Sequence, residues 1–363
     1  MAQSILISQK GYQLSAFSKS IWRIVQTTVW AIGVFILYCL FFYQPVGLLI
    51  FWNILIPVAP ALLVLAPGVW RNVCPLATTN LLPRHLNLSR KKKLSPKQLG
   101  VLNLIAVITL YTIVPLRHSL LNNSGTYTAL VIILMAGIGV FLGFFYEWKS
   151  VWCSGLCPVH PVEKLYGENV LITVPNAHCD KCMKCVTPCP DSTPNINPNT
   201  AARNIYHKIT AFLIVGGLPG FIWGWFHVPD QKNLSTITSF LAVYEMPFIG
   251  LIITLFFYLF LLVIVKTKHH KKLTALFAAA GVACYYWYRI PSLFGFGIFS
   301  TDGVLFNVRN IAPAWIFPVL TVSTTIFFFY WLVWRKPNKQ SWLNRPQFAK
   351  QIAKTQTGLR SVK

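Results

Sequence analysis

Residues 24–43, IVQTTVWAIGVFILYCLFFY, and residues 46–67, VGLLIFWNILIPVAPALLVLAP, decide the architecture, for neither contains a Lys, Arg, Asp or Glu. Each has about the 20 apolar residues that an α-helix needs to cross the hydrocarbon of a bilayer. Six further segments read the same way: Gly100 to Leu116, Thr128 to Tyr146, Ile209 to Phe226, Phe248 to Val265, Leu273 to Ile290 and Ala312 to Trp334. Gly100 to Leu116 is the shortest. The whole chain of 363 residues follows suit, with 55% hydrophobic and only 11% charged residues, where soluble domains carry about 25% charged. Its mean hydropathy is +0.56. The expectation is an all-α membrane protein of about eight transmembrane helices.

Net charge is +24, from 32 basic and 8 acidic residues. Such an excess can mark nucleic-acid binding, but the placement of the charges argues for topology instead. Eight spans put both termini on one side. That side receives 28 of the 32 basic residues; only Arg117, Lys232, Arg289 and Arg309 fall on the other. Lys and Arg accumulate on the cytoplasmic face of membrane proteins and favour anionic lipid there. The termini and the long loops at 68–99 and 147–208 are therefore expected in the cytoplasm, in a multi-pass inner-membrane protein. Nucleic acid is not an expected partner; the lipid bilayer is.

Four regions follow from this layout. Residues 1–146 hold four spans and the loop of Cys74. Residues 147–208 form a cytoplasmic loop rich in cysteine. Residues 209–335 hold four more spans, and 336–363 form a basic tail. Each long inner loop has a Cys-Pro pair, Cys74-Pro75 and Cys157-Pro158, so a hairpin followed by a cysteine loop reads as a duplicated unit. Aligned on Cys-Pro, Trp70 of the first copy stands where the second has Cys153. Gly139 and Gly143 make a G-x3-G that favours close packing. Gly216-Gly217-Leu218-Pro219-Gly220 reads as a helix-breaking signal.

The chemistry lies in the second loop. Cys179, Cys182, Cys185 and Cys189, with Pro190, make C-x2-C-x2-C-x3-C-P, the spacing with which bacterial ferredoxins hold cubane [4Fe–4S] clusters. A structural zinc site separates its ligand pairs more widely. Disulfides are disfavoured in a reducing compartment. Of the nine cysteines, Cys74, Cys153 and Cys157 lie with these four in the inner loops. Cys39 and Cys284 lie inside spans and read as small apolar residues.

C-x3-C-P loops after membrane hairpins, joined to a ferredoxin run, resemble the membrane-bound polyferredoxins of nitrate and nitrous-oxide respiration and of cytochrome oxidase assembly. The resemblance covers roughly residues 24 to 192. It implies one or two [4Fe–4S] clusters bound by Cys179, Cys182, Cys185, Cys189, Cys153, Cys157 and Cys74, which would be the cofactor and metal ligands. It also implies electron transfer between the quinol pool, or a soluble donor, and a redox protein partner. No catalytic residue is implied, and the chain reads more as an electron carrier or oxidoreductase subunit than as a stand-alone enzyme. A membrane reductase acting on an acceptor such as Cu(II), or an assembly protein with a non-redox cluster, are the alternatives.

Two cubes need eight ligands and the loops hold seven cysteines. His160 is the nearest imidazole to Cys157, and His178 and His85 are further options, since imidazole can replace thiolate on iron. Lys149, Lys181 and Lys184 would raise a nearby cluster's potential. At the other face, Glu245, His118, His227 and Asp302 are polar groups at span ends. Such groups often mark proton or quinol paths, and Glu245 stands first among them as a quinol proton acceptor.

Overall fold

The structure is a computed structural model and describes residues 16–90, 92, 94–146, 149–167, 169–175, 177, 204–231, 237–299, 301–336 and 343–344. The run Cys179 to Cys189 and most of the tail lie outside these residues. Among the described residues seven helices are long and apolar enough to cross a membrane. In our numbering these include α1 (Ala16–Phe42), α2 (Gln44–Leu65), α6 (Pro96–Leu121), α7 (Gly125–Phe145), α9 (Ile205–Phe226), α10 (Ile237–Ile264) and α12 (Ile316–Trp334). The short helices α3 (Pro67–Val73), α4 (Pro75–Thr79) and α5 (Leu82–His85) fill the first inner loop. A π-helical stretch, Lys149–Leu156, and α8 (Val159–Tyr166) open the second.

The eighth expected span forms α11 (His270–Leu293), a helix of 24 residues, but it is less apolar than the seven. The reason is its position. Ala278, Ala279, Gly281, Val282 and Ala283 are buried among neighbouring helices. A helix enclosed by protein has no need of large lipid-facing side chains. By contrast α10 leaves Ile253, Phe256, Phe257 and Phe260 uncovered, an apolar surface that suits lipid and not water.

The span expected to be shortest is one of the longest. Ser95 starts α6 five residues before the apolar run, as a full capping box: its Oγ accepts the Gln98 N–H at 3.2 Å and its own N–H donates to Gln98 Oε1 at 2.9 Å. Pro96 follows at the first helical position, where it lacks no needed N–H. The segment Gly216 to Gly220 does not break α9. A π turn at Leu213–Gly217 sits just before Pro219 and absorbs the lost backbone donor. Gly220 instead lets α9 and α10 touch backbone to backbone at Gly250.

One buried cluster unites both halves of the chain. It takes Leu63 and Val64 from α2, Val107 and Tyr111 from α6, Ile214 and Phe221 from α9, Tyr258 from α10, Val282 from α11 and Trp331 from α12. Leu165 and Tyr166 of α8 plug it at the cysteine end. Tyr286 of α11 locks the halves further: its hydroxyl donates to the Pro57 carbonyl at 2.7 Å and accepts the Ala61 N–H at 2.9 Å. Those two groups would otherwise bond to each other inside α2, so the hydroxyl is inserted into the helix ladder. Such an insertion is a known source of helix bending.

Candidate functional site

The two Cys-Pro loops meet at one end of the bundle. Cys74 ends α3 and starts α4, with φ −56° and ψ 118°, the extended conformation that a following proline imposes. It and Cys153 both pack against Ala77 and Leu81. Cys157 follows the π-helical stretch, its N–H donating to the Trp152 carbonyl at 2.9 Å. All three thiols are half-buried and none is in a disulfide. Burial and the nearby Cys157 push Cys74 up to about 12. Burial and Cys153 do the same to Cys157. As thiolates, therefore, these groups need a cation or metal for company.

Arg71 and Glu163 clamp the loops together. The guanidinium donates Nε–H to Oε1 at 2.7 Å and Nη2–H to Oε2 at 2.6 Å, with both side chains under 7% exposed. This bidentate pairing joins α3 to α8. Burial alone would raise the Glu163 carboxyl, but Arg71 and His160 hold it below the usual carboxylate range. Arg71 also feels the fields of Cys153 and Cys157. By its place in the sequence Arg71 is one more basic residue on the positively charged side. The signal for the pair was there: Glu163 is one of eight acidic residues in the chain, and a buried acid in so apolar a protein requires a partner.

His160 is held by the Arg71 clamp. Arg71 Nη2 donates to its Nδ1 at 2.8 Å. Guanidinium has no acceptor, so Nδ1 is bare and the ring proton sits on Nε2. Burial pushes the ring's pKa down to about 4. Binding metal through Nε2 would strip the second proton as well. Trp70, in the place of an eighth cysteine, packs onto the main core.

Asn72, wholly buried two residues before Cys74, reaches the second loop. Its Nδ2 donates to the Pro175 carbonyl at 2.8 Å and its Oδ1 accepts the Ala177 N–H at 3.2 Å. Residues Val174–Pro175 also pair in parallel with Leu343–Asn344 of the tail. The chain is thus fastened beside Cys74 just ahead of Cys179. Gly139 and Gly143 serve this end too. They seat Asn80 and Pro83 of the Cys74 loop against α7, where a Cβ at Gly139 would strike Asn80.

Among the described residues no three His, Cys, Asp or Glu side chains stand at metal-holding spacing. Cys74, Cys153 and Cys157 share a neighbourhood without closing a site by themselves. Two polar side chains on the same loops, Asn80 and Ser154, are buried with Nδ2 and Oγ lacking any protein partner. Hydrogen-bond donors of this kind suit a cluster's sulfur atoms, and the donor set fits the group in that respect.

At the opposite end Glu245 is exposed on α10, and His227 lies tilted against Trp223 with ring centroids 4.3 Å apart. His118 and Asp302, however, come together around a cavity. No protein-family profile, curated protein or solved structure matches this chain.

Proposed function

We propose that this chain is a membrane-bound ferredoxin-type electron carrier, passing single electrons between the quinol pool or a soluble donor and a redox protein partner. Cys179, Cys182, Cys185 and Cys189 hold one [4Fe–4S] cluster; Cys74, Cys153 and Cys157 serve a second, with Cys189 shared between the loops as in two-cluster ferredoxins. The spacing of the run carries the cofactor assignment. The observation that supports two loops acting together is the Asn72 anchor, which holds Pro175 and Ala177 beside the Cys74 loop. When bound, a cluster supplies a one-electron couple. The chain's own part is to hold the thiols in a half-buried patch, to set a paired guanidinium beside them, and to present them at a face from which a partner can approach.

Iron and acid-labile sulfide analysis with EPR of the reduced protein tests this. The proposal expects about four irons per chain for one cluster or about eight for two. Cys182→Ala removes the run's middle ligand and abolishes its signal. Cys157→Ala removes about half the iron if two clusters exist. Wild-type protein free of iron and sulfide after anaerobic preparation would sink the reading.

A further inference from the structure

Two arginines on the sparsely charged side, Arg117 and Arg289, are deeply buried, 3% and 2% exposed. With His118, also 3% exposed, they line a cavity of about 30 Å³ at the end of the bundle away from the cysteines. A water takes up roughly 10–15 Å³ on this measure. The space therefore suits a ligand of a few heavy atoms and not a quinol ring.

The polar atoms around it are unevenly served. The Arg117 guanidinium lies between the indoles of Trp52 and Trp225, 5.8 and 5.3 Å from their centroids, and its Nη1 faces Asp230 Oδ1 at 3.7 Å. Its Nε and Nη2 have no protein partner. Arg289 spends Nη2 on the Trp52 carbonyl at 2.6 Å and on Asn53 Oδ1 at 2.9 Å, and the buried Tyr285 hydroxyl lies against the same guanidinium. His118 donates Nδ1–H to Asp230 Oδ1 at 2.7 Å, and its Nε2 is likewise unpartnered. Both carboxylates are occupied. Asp230 also accepts from Asn122 at 2.7 Å, and Asp302 accepts the Asp230 N–H at 2.7 Å. Gly303, at φ +69°, keeps the space between the two guanidiniums open, since a Cβ there would collide with Arg289 Nη1.

Two unused donors on one buried cation, Arg117, call for oxygen acceptors. Nε and Nη2 form the guanidinium edge that takes both oxygens of Glu163 at Arg71; at Arg117, which lines the cavity, the same two atoms have no protein partner. We propose that this cavity binds a small planar oxyanion, of the carboxylate or nitrate type, on the Nε/Nη2 edge of Arg117, with Arg289 and His118 completing the cage. Charge requires a companion. The two guanidiniums are matched in number by Asp230 and Asp302, His118 lies against the Trp225 ring 4.9 Å away, and the phenols of Tyr285, beside both guanidiniums, and of Tyr288, lining the cavity, complete the titratable surroundings. A buried unbalanced anion is costly. The anion therefore enters with one proton, taken by His118, whose Nε2–H then donates to it.

The test is calorimetric titration of the full-length protein in detergent with nitrate, formate and acetate as probes, at about pH 6 and about pH 8, either side of the ordinary histidine value. At least one probe should bind one to one, and more tightly at the lower pH, approaching about tenfold per unit where one proton is taken up. Arg117→Gln should weaken it by about tenfold or more, as loss of a charge-assisted pair does. Arg309→Gln, at an exposed cation, should leave it unchanged. Should Arg117→Gln fail to fold, His118→Gln keeps a donor to Asp230 and cannot take the proton, so binding should lose its pH dependence. Absence of heat with all three probes overturns the proposal. So does binding that Arg117→Gln leaves intact, or a pH dependence that survives His118→Gln.

Discussion

Arg71 and Glu163 show what a single residue decides here. Each is a charge that could not stay buried alone, and together they bolt the Cys74 loop to the Cys157 loop. Removing one partner leaves the other charged and unpaired in a dry site, at a cost of about 3–5 kcal/mol. Replacing both by apolar residues of similar bulk avoids that penalty. We therefore expect Arg71→Met to lower the thermal unfolding midpoint of the detergent-solubilised protein sharply. Arg71→Met with Glu163→Leu should recover most of the loss. If the double variant is as unstable as the single one, the pair matters by its hydrogen-bond geometry and not by charge compensation. Asn72 is a subtler case. Asn72→Ala should strip two hydrogen bonds to Pro175 and Ala177 and destabilise by about 1–3 kcal/mol. Limited proteolysis ahead of Cys179 reads the outcome; cleavage at the wild-type rate would show that the anchor is not needed.

Elements in this protein are shaped by where their backbone groups can be satisfied. In lipid every backbone N–H and C=O needs an internal partner, and α2, α6 and α9 each contain prolines that remove a donor. Pro115 adjoins the π turn Arg117–Leu121 and Pro219 the π turn Leu213–Gly217. Each of these helices crosses without breaking, by widening one turn. In α2 the repair comes from another helix, as Tyr286 bridges Pro57 and Ala61. Tyr286→Phe should leave that carbonyl and amide to close up or go unmet, costing about 1–3 kcal/mol. Faster amide hydrogen exchange at Ala61 and a lower unfolding midpoint are the expected results. Unchanged exchange would mean that α2 straightens at no cost. At α6, Ser95→Ala removes the capping box for about 1 kcal/mol, a loss measurable in the unfolding midpoint.

For the whole molecule, orientation is the open variable. The structure places Cys74, Cys153 and Cys157 at one end and Arg117 and Arg289 at the other. The basic residues crowd the cysteine end. Reporter fusions after Lys208 and at Lys363 should act only in the cytoplasm. Periplasmic activity at either point would invert the molecule and put the thiols in an oxidising compartment, where a disulfide and not a cluster would be their ordinary fate.

Apolar runs between Ile24 and Trp334, free or nearly free of charge, were enough to mark seven helices long and apolar enough to cross a membrane, because a helix must bury its backbone and about 20 apolar residues are what the bilayer asks. The cysteine spacing likewise carries the proposed cofactor chemistry without any fold. Composition could not separate α11, a helix enclosed by protein, from the lipid-facing helices, since what surrounds a helix is a tertiary fact. Nor could it show that Gly139 and Gly143 seat a loop and not another span, or that Arg117, His118 and Asp302 meet. Those residues lie up to 185 positions apart in sequence, and their pairing rests on charges that only packing brings out of water. The sequence determined which groups are too polar for lipid; the tertiary structure decided which of them keep one another company.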